Sequence, residues 1–197
     1  MHSTLMYPGR TIFFRFKNYL GRPPIVNIDN GTDLNDESRF SLGAITVNHT
    51  RQKDVEFVRS SIGQGVQLVY EMGKVLIKNL SGASVFVQSS NMNEMWGIDG
   101  KTVVKIPAGH EAVIFDNQKF AARLAQKVQY GFESAFQLIK MCTIHLSFVK
   151  GWGSDYKRTH VTSTPCWVEI HLNGPFQWLD RVLREMGGPK AQIGSVS

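Results

Sequence analysis

Cys142-Thr143-Ile144-His145-Leu146-Ser147-Phe148-Val149 is the stretch that decides the fold. Ile144, Leu146 and Phe148 alternate with Thr143, His145 and Ser147. Successive side chains of an extended chain point to opposite faces, so this segment buries one face and leaves the other polar. The same period of two recurs where Val66, Leu68 and Tyr70 oppose Gln67 and Glu71, and where Val168, Ile170 and Leu172 oppose Glu169 and His171. Other short apolar runs lie at 11–16, 40–47, 75–80, 84–88, 102–106 and 111–115, with turns such as Glu71-Met72-Gly73-Lys74 between them. Short half-buried strands joined by tight turns predict a mainly β chain, an antiparallel β-sandwich.

A helical period appears in four places. Residues 54–62 align Val55, Val58 and Ile62, with Asp54 placed to cap; 117–128 align Phe120, Leu124 and Val128. Phe132, Phe136 and Ile139 form a third stripe. Phe176, Leu179, Val182, Leu183 and Met186 form a fourth, with Pro175 at the first helical position. Three of the four lie in the C-terminal half, too few for alternating strands and helices, so they predict a helical bundle at one end of the sandwich. The expected organisation is a leader (1–10), one domain (11–187) and a tail (188–197).

The net charge of +6 at a pI near 9.4 points to an anionic partner. There is no run of five Lys or Arg and no run of eighteen apolar residues, so neither a basic nucleic-acid tract nor a membrane-spanning helix is expected. No secretory leader is expected either, because Arg15 and Lys17 interrupt the only apolar stretch near the start. Cys142 and Cys166 sit in apolar runs and read as buried thiols of an intracellular protein. Gly-x-Ser-x-Gly, Walker and His-Glu-x-x-His signatures are absent. Cys142 and His145 would face opposite sides of a strand, which argues against a shared metal. The chain therefore reads as a non-enzyme without cofactor or metal.

Three segments carry functional chemistry. The loop 150–160 combines Gly151 and Gly153 with Lys150, Lys157, Arg158, Tyr156 and Trp152, a set suited to a phosphate. The loop 29–39 is acidic and does not fit a calcium-loop spacing. The end, Gly194-Ser195-Val196-Ser197, follows a Gly187-Gly188-Pro189 break. Two phosphates there would add a charge of about −3 to −4, on a tail that reaches at most roughly 35–40 Å.

The residues Phe148-Val149-Lys150-Gly151-Trp152-Gly153, Val161-Thr162-Ser163-Thr164-Pro165-Cys166-Trp167, His171-Leu172-Asn173-Gly174-Pro175 and Gln177-Trp178-Leu179-Asp180 closely resemble the C-terminal Mad-homology domain of Smad proteins, signal transducers of the transforming growth factor-β superfamily. Ile62-Gly63-Gln64-Gly65-Val66, Phe86-Val87-Gln88-Ser89, Lys105-Ile106-Pro107 and Lys140-Met141-Cys142-Thr143-Ile144 extend the resemblance, which runs in order through residues 11–197. It implies a β-sandwich of Smad/forkhead-associated type, with a three-helix bundle at one end and a loop-helix region at the other. Receptor-regulated members end in Ser-Ser-x-Ser and are phosphorylated by a type I receptor kinase, which makes Ser195 and Ser197 the acceptors. The phosphoserine pocket of a neighbouring subunit maps onto Lys105, Lys150, Tyr156 and Arg158. The receptor-reading positions are Lys157 and His160. Asp29 occupies the position of a trimer-interface acid, and Trp96 and Ile98 fall in the stretch that binds anchors and transcription partners.

Further implications are trimers with itself or with a common-mediator Smad, contacts with transcription factors and coactivators, no direct DNA contact from this domain, and movement from cytoplasm to nucleus. The sequence departs from the family in places. Gly194 replaces the first serine, Phe13-Phe14-Arg15-Phe16 replaces a Tyr-Tyr-Glu segment, and Lys157 with His160 matches neither receptor branch. The competing reading is a constitutive protein- or phosphopeptide-binding module of inhibitory type, whose tail is never phosphorylated.

Overall fold

A computed structural model describes residues 10–14, 25–33, 36, 38–44 and 53–187, with 10–14 and 53–55 described by their backbone alone. Among the described residues, ten strands form two five-stranded sheets. The first contains β1 (Arg10–Phe14), β6 (Val85–Gln88), β7 (Val104–Ile106), β9 (Thr143–Phe148) and β10 (Trp167–Leu172), in the order β1-β10-β9-β6-β7. The second contains β2 (Ile25–Asp29), β3 (Arg39–Ser41), β4 (Val66–Glu71), β5 (Lys74–Asn79) and β8 (Glu111–Asp116), in the order β3-β2-β4-β5-β8. All pairs are antiparallel except β1 on β10 and β2 on β3, each at a sheet edge. The predicted sandwich is present, and its antiparallel character breaks only at those two edges.

The alternation seen in the sequence is what buries the core. Ile144, Leu146, Phe148, Val168 and Ile170 are fully buried from the first sheet, as are Leu68 and Ile77 from the second. Burying a side chain of this size contributes roughly 1.5–3 kcal/mol. The helices are α1 (Lys53–Ile62), α2 (Ser90–Trp96), α3 (Asn117–Val128), α4 (Phe132–Phe136) and α5 (Asn173–Glu185). α3, α4 and α5 pack pairwise, together with a 3-10 helix at Gln137–Cys142. That bundle sits at the end where β9 begins and β10 finishes. The opposite end carries α1, the Asp29 loop and the loop from β9 to β10.

Several boundaries differ from the sequence reading. Of the run 40–47, the strand covers Arg39–Ser41 and a turn follows at Gly43, while 45–47 lie outside the described residues. The third helical stripe divides into α4 and the 3-10 helix, which still buries Leu138 and Met141. α5 starts at Asn173, so Pro175 is its third residue, where the amide would still lack an intrahelical partner. β2 and α2 were not anticipated. α2 is short and rich in Ser and Asn, and its signals were its caps. The Ser89 hydroxyl accepts from the Met92 amide, and Gly97 turns left-handed so that its amide and that of Ile98 return to the helix carbonyls.

Candidate functional site

The phosphate-receiving candidates converge at the loop end of the first sheet. Across it, Lys105, Phe86, Ser147 and Trp167 stand in register on four adjacent strands and share the outer face. The chain leaves β9 through a tight turn at Val149, whose φ is 66°. The Lys150 amide donates back to the Phe148 carbonyl at 2.7 Å, which makes this a γ-turn. A β-branched residue is strained there, at a cost of order 1–3 kcal/mol, so neighbouring contacts must hold it. Two of them are visible. The Val149 amide donates to Ser84, and the buried Ser147 hydroxyl donates to the Lys150 carbonyl at 2.7 Å.

From that turn the loop lies back on the sheet. A Cβ on Gly151 would sit 2.7 Å from the Tyr156 ring and 2.9 Å from Phe86, so only glycine allows this approach. Tyr156 meets Phe86 edge-on with ring centres 5.3 Å apart. The Gly153 amide donates to the Arg158 carbonyl, and the Tyr156 amide to Gly153, which closes the loop. Trp152 is buried and anchors the turn. Lys150, Tyr156 and Arg158 are half-buried, and Lys105 is exposed on the strand beneath. Lys105 is cross-strand partner to Phe86, on which Tyr156 rests, so these side chains rise from one patch. Lys157 and His160 are exposed on the outer side of the same loop. Ser195 and Ser197 lie outside the described residues.

Asp29 ends β2 at this same end and is only 6% exposed. Its carboxylate accepts from the Gly31 amide at 2.7 Å and pairs with Arg39 Nε at 3.2 Å. A neighbour approaching this loop therefore meets Arg39, 40% exposed, over a carboxylate already engaged in its own chain. Trp96 and Ile98 lie at the opposite, helical end, and both are exposed, at 50% and 38%. Buried amides fix the segment around them. Asn91 exchanges bonds with the Asp116 backbone, and the Asn93 amide donates to the carbonyls of Asp99 and Thr102. Sequence reading missed these asparagines, because a polar residue that serves the backbone looks like an ordinary surface residue.

Cys142 and Cys166 are free and buried, as expected. Burial pushes the Cys142 thiol up to about 12 and the Cys166 thiol up to about 11, so both stay protonated. Among the described residues no group of three or more His, Cys, Asp and Glu has the arrangement of a metal site, and no helix is long and apolar enough to cross a membrane.

Comparison with known families is decisive for the fold as a whole. Residues 14–173 match the family described as the MH2 domain, which covers most of the chain. The chain belongs to the MH2 domain family. That is the Mad-homology family indicated by the residues around Lys150 and Trp167, and it makes the chain a protein-interaction domain of signal transduction. The match ends at the first residue of α5, so the rest of α5 and the tail lie beyond it. The crystal structure of the interferon regulatory factor 9 IAD domain is similar in fold. Its TM-score is 0.50 at 11% identity, over 82% of this chain and 78% of that one. A crystal structure of STAT2 in complex with IRF9 gives a TM-score of 0.44 at 11% identity, over 64% of this chain and 68% of that one.

Proposed function

We propose that this MH2 domain is a phosphorylation-switched assembly module of transforming growth factor-β superfamily signalling. A type I receptor serine/threonine kinase phosphorylates Ser195 and Ser197. The phosphorylated tail then docks on Lys105, Lys150, Tyr156 and Arg158 of a neighbouring copy or of a common-mediator Smad, and the trimer acts with transcription factors and coactivators in the nucleus. In this reading the domain neither catalyses a reaction nor contacts DNA directly. Lys157 and His160 face the receptor, the Asp29–Arg39 loop forms part of the trimer contact, and Trp96 with Ile98 meets partner proteins.

The observation that carries the reading is the shared patch of Lys105, Lys150 and Tyr156. Residues from two distant parts of the chain, one on a strand and two on a loop, are gathered where one sheet row meets one folded-back loop. The loop backbone that carries Lys150 and Tyr156 is held by its own hydrogen bonds, and charge-assisted hydrogen bonds to a phosphate contribute about 1.5–3 kcal/mol each. A few kcal/mol per interface strengthens association by tens- to hundreds-fold.

The test is the mass in solution, by light scattering, of the chain with and without phosphate on Ser195 and Ser197. A monomer becoming a trimer is expected, and Lys150→Ala should weaken the phosphorylated trimer. A monomer in both states would overturn the reading. A tail that the receptor kinase leaves unlabelled would instead favour a constitutive binding module.

A further inference from the structure

The outer face of the first sheet continues past the row of Lys105, Phe86, Ser147 and Trp167. Two residues further along the same strands, Gln88, His145 and Glu169 stand in register on β6, β9 and β10. This second row lines a cavity of about 360 Å3. The loop after α2 brings Lys101 to it, and the 3-10 helix brings Ile139 and Lys140. Thr143, at the start of β9, lines it as well.

The donors and acceptors here are largely free. Among the described residues neither Lys101 nor Lys140 has a carboxylate within ion-pair distance. The Thr143 hydroxyl makes no hydrogen bond among them, and nothing donates to the Gln88 side-chain oxygen. The one carboxylate, Glu169, is turned to imidazoles of its own chain, His145 at 3.0 Å and His171. Both of its oxygens are engaged, so it repels an incoming anion less than a bare carboxylate would.

The loop bearing Lys101 is held in place. Gln88 donates through its nitrogen to the Lys101 carbonyl at 2.6 Å, and the Lys101 amide donates to Asp99 at 2.8 Å. The Asn93 side chain donates to the carbonyls of Asp99 and Thr102. A fixed loop loses little freedom when a ligand arrives.

We propose that this cavity binds a polyphosphorylated cyclic polyol, free or as the headgroup of a phospholipid. Lys101 and Lys140 meet its phosphates through charge-assisted hydrogen bonds. Gln88 and Thr143 meet its hydroxyls, and the lysine stems with Ile139 lie against its carbon ring. Small-ligand sites run from about 300 to 1,000 Å3, so a cavity of this size suits a single ring. A nucleotide is disfavoured because no Phe, Tyr or Trp lines the cavity to stack on a base. Inorganic phosphate would leave Gln88 and Thr143 unused. The proposal needs no tail phosphate, so its success or failure is separable from that of the assembly reading.

The test is calorimetric titration of the unphosphorylated chain with inositol trisphosphate, alongside flotation with phosphatidylcholine vesicles that carry phosphatidylinositol bisphosphate. The trisphosphate should bind about tenfold or more tighter than pyrophosphate or ATP, and added salt should weaken it. K101Q/K140Q should lose about tenfold or more, and Thr143→Val about two- to tenfold. Lys119→Gln, on exposed α3 surface, should bind as wild type. Thermal melting checks each fold, and the two lysines are changed singly if the pair lowers the melting temperature. Flotation that K101Q/K140Q abolishes identifies the lipid headgroup as the source. Calorimetric binding without flotation identifies the free polyol phosphate. Binding in neither arm would overturn the proposal. So would equal binding of pyrophosphate, or full binding by K101Q/K140Q, which would put the ligand on other cations.

Discussion

The two ends of this sandwich are built by different means. The loop end is fixed by backbone geometry: a strained turn at Val149, a ring laid against Gly151, and a buried Asn79. The Asn79 amide donates to the carbonyls of Ala83 and Ile106, and its oxygen accepts from the amide and hydroxyl of Ser81. The helical end is fixed by amphipathic faces and caps, with Asp116 holding the first turn of α3 and Phe120 fully buried beneath it. Backbone-built regions tolerate few side chains but hold donors rigidly. Side-chain-built regions tolerate change and leave clefts between their elements.

The largest expected effect is at Asn79. Asn79→Ala strips four hydrogen bonds from a fully buried group and orphans their partners, which should cost about 3 kcal/mol or more in urea unfolding. A loss below roughly 1 kcal/mol would show that the loop end does not depend on this hub. Next comes a paired comparison of glycines. Gly151→Ala drives a methyl into Tyr156 and Phe86 and should cost about 1–3 kcal/mol. Gly100→Ala at the helical end meets nothing closer than 3.9 Å and should stay within about 0.5 kcal/mol of wild type. Equal costs would erase the contrast between the ends.

The smallest effect is kinetic. Cys142 marks the helical end and Cys166 the loop end, and thiolate is the reactive form. Burial raises Cys142 to about 12 and Cys166 to about 11, so native alkylation followed by mass spectrometry should be slow at both and faster at Cys166. The reverse order would mean that the helical end opens more readily.

The contrast also explains what could be read in the sequence. Alternation at Ile144, Leu146 and Phe148 gave the sandwich, and the 3.6 period at Phe120, Leu124 and Val128 gave the bundle, because burial imposes those periods. The basic loop was legible as residue types from Lys150 to Arg158. Its convergence with Lys105 depends on strand register, which no local pattern encodes. β2 escaped because Pro23-Pro24 precedes it and its burial alternates poorly, with Ile28 and Asp29 both buried. The cavity at Lys101 and Lys140 escaped because two separate elements supply its cations, and each lysine alone reads as surface charge.

The parallel pairing of β1 on β10 has a consequence for the chain as an expressed molecule. β10 is the last strand before α5, and β1 occupies its outer edge from Arg10 to Phe14. A chain shortened beyond Phe14 would bare a row of unpaired amides and carbonyls along β10, a template for edge-to-edge association with other chains. Removing Arg10–Phe14 would therefore move the open edge of the first sheet from β1 onto β10, the strand that leads into α5.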